Sequence, residues 1–227
     1  RGPPDRCGHA AATVVTDRHR RRRARLTSSA REAVRSRAMQ FVPYTASRDV
    51  PNIVVDGSPN EGTVLTLTHW PGIARPPGLV HDLSAGMAFR YLEAPPEHPP
   101  VEAVTNNHFD QDGLVSAFVL AEPSTASEYR ELLLDLAAAG DFGTYRDRRA
   151  ARASMVVSRL AEQPYDDYDA FCGERYLEAL PMVVPMLLDN DRFRELWAEE
   201  DEQLTRSEQA LATGTVTIVD DPELDLA

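Results

Sequence analysis

A histidine and two aspartates recur at alternate positions in Asn107-His108-Phe109-Asp110-Gln111-Asp112-Gly113. In an extended segment, side chains at every second residue project to one side. One imidazole and two carboxylates placed that way form a ligand set for a hard divalent cation. The mixed donors suit Mn²⁺ or Fe²⁺ and, less well, Mg²⁺. Gly113 lets an ion or substrate approach the backbone closely. The apolar run Leu114–Leu120 predicts a helix from Gly113, whose free N–H groups and positive dipole end would face an anion.

Of two rival readings of this segment, a calcium loop fails on its own requirements and a strand-to-helix turn stays open. With His108 as the first residue of a calcium loop, Gly113 falls correctly at the sixth position. The twelfth is then Val119, where a bidentate Glu is needed. Asp as the N-cap of a strand-to-helix turn accounts for one Asp, but not for a His and two Asp in alternation.

A site with a second ion needs more donors. Asp56 and His69 each close a predicted strand and are followed by Gly57 and by Trp70-Pro71-Gly72. Ligands gather at the carboxyl ends of parallel strands. Asp141, in Gly140-Asp141-Phe142-Gly143, is a third candidate, or else it ends a helix in a turn. That tripeptide is not a kinase magnesium motif, because the chain has no Lys and no His-Arg-Asp loop. Arg146, Arg148 and Arg149 form the basic cluster of the body, and Arg146 or Arg149 could hold a substrate phosphate bidentately. Asp166, Asp167 and Asp169 read as helix-capping residues, and Cys172 as a buried, inert thiol.

The segment His108-Phe109-Asp110-Gln111-Asp112-Gly113-Leu114-Val115-Ser116-Ala117 resembles the first motif of the DHH phosphoesterase superfamily. That superfamily includes single-strand exonucleases, manganese pyrophosphatases and phosphatases of small nucleotides. The resemblance implies that His108, Asp110 and Asp112 ligate manganese. It covers about 15 of 227 residues, and the chain has no Asp-His-His triplet, which lies downstream in that superfamily. Through Val54-Val55-Asp56-Gly57, Thr68-His69-Trp70-Pro71-Gly72 and the His108 segment, the chain also resembles an uncharacterised family of high-GC bacteria, over about residues 40–227. That second resemblance implies no activity.

These residues need a scaffold, and the patterning predicts an α/β one. Strands are expected near 53–56, 63–69 and 101–106, in a parallel or mixed sheet with flanking helices. Helical spacing runs over 79–92, from 113 to Pro123, over 128–139 up to Gly140, and over about 147–162, 167–188 and 191–212. Pro181 and Pro185 should kink the penultimate one. Thr215–Val219 reads as a last strand, and Leu224–Ala227 as the start of another, which suggests a missing C-terminal piece. The expected organisation is a basic leader at 1–38, an α/β metal-site core at 39–126, and a helical portion at 127–227 packed on that core.

Charge is unevenly spread. Residues 1–38 hold eleven Arg against three acids, a formal +8, while 39–227 hold thirteen Arg against thirty-three acids, a formal −20. The leader reads as translated upstream sequence before Met39, as a disordered basic arm, or as an Arg- and Ser-rich transit peptide. The acidic body repels a nucleic-acid backbone, so a small phosphorylated substrate is expected rather than long DNA or RNA. The absence of Lys removes a P-loop lysine and any lysine Schiff base. Cys7 and Cys172 lie in dissimilar regions, so no disulfide framework is expected and the cytoplasm is the expected compartment. No apolar run approaches the ~20 residues of a membrane span.

The sequence therefore predicts a Mn²⁺- or Mg²⁺-dependent phosphoesterase acting on a small phosphorylated or nucleotide substrate. The alternative is a non-catalytic regulator that binds a metal or a nucleotide on the same scaffold.

Overall fold

The computed structural model describes residues 38–219. Residues 1–37 of the basic leader, Cys7 among them, and the strand expected to start at Leu224–Ala227 lie outside the described residues. Four strands form one sheet: β1 (Gln40–Phe41), β2 (Asn52–Val55), β3 (Thr63–Leu67) and β4 (Ala103–Thr105). Their order is β1-β4-β2-β3, and every pair is parallel. Ile53, Val54 and Val55 are fully buried, as a β-branched run must be when it lies second in a parallel sheet.

Eight α-helices follow or interleave among the described residues: α1 (Ser84–Glu93), α2 (Gln111–Ala121), α3 (Pro123–Glu128), α4 (Arg130–Asp141), α5 (Arg148–Ala161), α6 (Tyr168–Ala179), α7 (Val183–Leu188) and α8 (Arg194–Ala212). α2 is buried on every side, from Gln111 to Leu120, which explains its continuous apolar run. It packs on the sheet, on α1 and on α4; α5 then packs on α4, and α8 on α5. A single core runs from Met39 in the sheet layer to Trp197 on α8.

The connection from β2 to β3 spans only residues 56–62 and contains no helix. Parallel neighbours normally need a longer crossover. The chain doubles back because Asp56 adopts φ 44°, a left-handed conformation unusual for a non-glycine residue. A buried polar network fastens the return: Asn52 Nδ2 donates to Ser47 O (2.8 Å) and Asn60 Oδ1 (3.0 Å), and Thr63 Oγ1 donates to Asn52 Oδ1 (3.1 Å). Gly62 is required there, since a Cβ would lie 2.4 Å from Val50 O.

Several boundaries differ from expectation. The helix expected from 79 begins at Ser84, and the strand expected to reach 69 ends at Leu67. Gly140 does not stop α4, which continues to Asp141. Pro123 opens α3 at its first position, where its missing N–H costs nothing. Pro181 does break the long segment, through a 3-10 turn at Leu180–Met182. Thr215–Val219 pairs with no strand among the described residues, and Ile218 and Val219 are exposed. The two-residue β1 is too short to carry a sequence pattern.

Candidate metal centre

Strands β2, β3 and β4 each deliver a ligand candidate to one end of the sheet. Asp56 directly follows β2, His69 follows β3 by two residues, and His108 follows β4 by three. Asp110 and Asp112 stand at the start of α2, and Asp141 closes α4. The candidates thus lie at the carboxyl ends of parallel strands, the place where such sheets gather ligands.

Donor atoms of Asp56, His108 and Asp110 lie within 4.8 Å of one another, and so do those of Asp56, His69 and Asp112. Asp56 belongs to both sets. Its Oδ2 is 3.2 Å from His108 Nε2, and its Oδ1 is 3.6 Å from His69 Nε2. Asp110 Oδ2 lies 2.8 Å from His108 Nε2, and Asp141 Oδ2 lies 3.5 Å from His69 Nε2. All six candidates thus meet in one cluster, with Asp141 at its edge.

The two histidines are supported differently. His69 Nδ1 bonds the carbonyl of Asp82. A carbonyl only accepts, so Nδ1 carries the proton and Nε2 presents a lone pair toward the carboxylates. This is the support a metal-bound imidazole usually has. His108 Nδ1 is buried with no hydrogen-bond partner, and its ring instead packs against Trp70, with centroids 4.9 Å apart.

Crowding distorts the acid–base behaviour of the cluster. Burial pushes Asp112 well above the ordinary carboxylate range, and the neighbouring charge of Asp56 adds to this. Burial, then Asp110 and Asp56, push Asp141 up to about 6. Burial opposes the charged form of His108, but its bonds to Asp110 and Asp56 win and push it up to about 10. Burial also works against Asp110, yet His108 holds it below the usual range. Four acids pressed together this way must retain protons or share a cation, and two imidazoles among them make a divalent ion chemically fitting.

Some of the cluster's oxygens already have other duties. Asp112 accepts Ser84 N–H on Oδ2 (2.6 Å) and Ala85 N–H on Oδ1 (2.8 Å), which caps α1. Asp110 Oδ1 accepts Gly113 N–H (2.8 Å), which caps α2. The start of α2, expected to face a substrate anion, is therefore taken at least in part by the protein's own carboxylate. Each oxygen keeps a further lone pair for an ion.

The arginines expected to clamp a phosphate are not brought into this cluster. Arg149 pairs with Asp147 (2.6 Å) and Arg146 with Glu131 (4.0 Å), ten residues before Asp141 on α4. Arg148 binds Asp201 (2.6 Å) and Glu208 (2.7 Å) and helps to dock α8. Arg75 lies near the site in the chain's loop after β3: its guanidinium bonds the backbone carbonyl of His69.

Sequence reasoning also missed Ser84, Trp70, Asn106 and Tyr176. Tyr176 Oη accepts from Asn106 Nδ2 (2.8 Å) beneath the His108 loop. None of the four sits in a spaced pattern, though Trp70 directly follows His69. Asp167 does cap α6, through Ala170 N–H at 3.1 Å. Cys172 is buried and free, and burial pushes its thiol up.

Fold and site define a parallel α/β protein with a carboxylate–imidazole centre at the carboxyl edge of its sheet. The chain belongs to a family of unknown function (DUF6687), which matches residues 37–227. No curated protein and no solved structure matches it. No described helix is long and apolar enough to cross a membrane.

Proposed function

We propose that this protein is a metal-dependent phosphohydrolase, with Mn²⁺ or Mg²⁺ held by His108, Asp110, Asp112, Asp56, His69 and Asp141. The observation that carries the reading is Asp56, whose two oxygens face two different histidines inside two three-donor sets. One carboxylate shared between two donor sets suits a pair of ions. Bound divalent ions would supply an activated water and neutralise phosphoryl oxygens. The resemblance of His108–Ala117 to the first DHH motif supports the same chemistry. The protein's own part is to hold the donors, to keep His69 in the correct tautomer and to bind the substrate anion. Arg75, which bonds the His69 carbonyl, is our candidate for that last task, and the strongly acidic surroundings favour a small phosphorylated or nucleotide substrate over a long nucleic acid.

A second reading is favoured by Asp112, which is fully buried and caps α1 with both oxygens. An ion there could serve structure or regulation, with a nucleotide or metal bound but not hydrolysed. One experiment separates the two readings: metal content, then Mn²⁺-dependent phosphate release from a panel of nucleotides and pyrophosphate. Metal-loaded protein that releases phosphate, and loses this in Asp110→Ala plus Asp112→Ala, supports the hydrolase. Metal without turnover supports the regulator. Wild type with no affinity for metal, or full activity in the double variant, would sink the phosphohydrolase.

A further inference from the structure

We propose that Ser84 is the positioning residue that makes Asp56 a two-sided ligand, one oxygen for each histidine; this rests on the metal-centre reading above. Ser84 is the first residue of α1 and is 0% exposed. Its hydroxyl donates to Asp56 Oδ1 at 2.7 Å and accepts the backbone N–H of His69 at 3.1 Å. Its own N–H donates to Asp112 Oδ2 at 2.6 Å. Candidate ligands from three separate segments are thereby fixed on one residue.

The geometry explains why Asp56 needs this help. An aspartate carboxylate turns about χ2, a broad and soft torsion. The rotation observed puts Oδ2 beside His108 and Oδ1 toward His69. At 3.6 Å the His69 contact is too long to be a hydrogen bond that would hold this rotation by itself. Ser84 makes the short contact on that oxygen. The acceptor side of Ser84 is in turn occupied by the His69 N–H, which leaves its proton for Asp56. Without the hydroxyl, Asp56 is free to turn both oxygens toward the His108–Asp110 side and chelate a single ion. Ser84 therefore controls the second ion, the one on the His69 side, more than the first.

The test is Mn²⁺ titration calorimetry with low-temperature electron paramagnetic resonance, on the full chain as wild type, Ser84→Ala and Ser84→Thr. Wild type should bind two ions and show an exchange-coupled signal. Ser84→Ala should keep the first ion and bind the second about 10–100-fold more weakly, the usual effect of losing a residue that orients a ligand. Its spectrum should be that of isolated Mn²⁺. Ser84→Thr, which keeps the hydroxyl, should restore the coupled signal, whereas a purely steric role would make the added methyl group the more harmful change. Two coupled ions of unchanged affinity in Ser84→Ala would overturn the inference. So would a wild type that binds one ion, although the metal-centre reading would then survive. A wild type that binds none removes that reading itself. If Ser84→Ala does not fold, Ser84→Cys keeps a weak donor of similar size; it should show intermediate second-ion affinity, and unchanged affinity there also overturns the inference.

Discussion

Asp112 Oδ2 accepts the backbone N–H of Ser84 at 2.6 Å, so the start of α1 is capped from the start of α2. The N-cap residue of α1 is Leu83, which has no side chain able to do this. One carboxylate therefore joins two helices and belongs to the candidate donor cluster as well. Asp112→Ala leaves two buried N–H groups without an acceptor, at about 1–3 kcal/mol for each unsatisfied group. Thermal melts should show Asp112→Ala destabilised even in metal-free protein. They should also show that Mn²⁺ stabilises it less than it stabilises wild type. A metal-free variant as stable as wild type would refute the capping role.

His69 and His108 should respond differently to changes around them. His69 is oriented by a backbone carbonyl, whereas the ring of His108 packs at a tilt against Trp70. Trp70→Ala should weaken the ion on the His108 side by about 10-fold, within the range seen when groups that orient a ligand are lost. The ion on the His69 side should be kept. His69→Ala should do the reverse. Calorimetric titration of both variants with Mn²⁺ resolves the two sites, and equal losses at both sites in Trp70→Ala would contradict this assignment.

Arg75 should matter for anion binding where Arg146 and Arg149 do not. The latter two are engaged by Glu131 and Asp147, while Arg75 bonds a backbone carbonyl beside the cluster and keeps further N–H donors. In Mn²⁺-loaded protein, Arg75→Gln should raise the Kd for inorganic phosphate about 10-fold, equivalent to ~1.4 kcal/mol. Arg146→Gln and Arg149→Gln should leave it unchanged. The reverse ranking would return the phosphate to Arg146 and Arg149.

Which parts of this were readable beforehand follows from what each part depends on. The buried strands and the ends carrying Asp56, His69 and His108 depend on local pattern, an apolar β-branched run closed by a polar residue. The strands formed near the expected positions, but each ends one to three residues before its ligand candidate. The start of α1 depends on a cap that lies 28 residues away in sequence, so nothing near Leu79–Leu83 marks it. Arg149 is paired locally with the N-cap Asp147 of its own helix, whereas the partner of Arg146, Glu131, comes from the neighbouring α4. Ser84 acts through a hydroxyl and a backbone N–H whose partners, Asp56, His69 and Asp112, come from three segments. Thr215–Val219 has a strand's composition, but a strand also needs a neighbour, and the described residues offer none.

The docking of α8 should be acid-sensitive. Burial of Asp201 works against its charge, but hydrogen bonds from Arg152 and Arg148 outweigh burial and hold its carboxyl below the ordinary range. Arg152 also stacks on Trp197, 4.2 Å from the ring centroid. A carboxylate whose folded pKa is depressed contributes stability that is fully present above its unfolded value, 3.8 here. That contribution is lost as pH falls through the lower, folded value. Asp201→Asn should therefore be less stable than wild type near neutrality, with the difference shrinking to nothing in strong acid. Circular-dichroism melts across that range test it, and a gap that widens on acidification would show the sign to be wrong.

Gly113 is needed for packing against Tyr176, not only for access to the site. A Cβ at Gly113 would sit 2.4 Å from Tyr176 Oη and 2.5 Å from Asn106 Nδ2, both of which lie in the interior. Gly113→Ala must push apart the Asn106–Tyr176 pair and with it the loop that carries His108. Overpacking of this kind costs about 1–3 kcal/mol. Tyr176→Phe removes the closest clashing atom, at the expense of a buried hydrogen bond worth about 1 kcal/mol. The two changes share one contact, so their costs should not add. The double variant Gly113→Ala/Tyr176→Phe should be more stable than the two single losses together imply, with part of its Mn²⁺ affinity regained over Gly113→Ala alone. Strictly additive losses in a denaturant-unfolding cycle would show that Gly113 serves the backbone turn or the bound ion rather than the tyrosine.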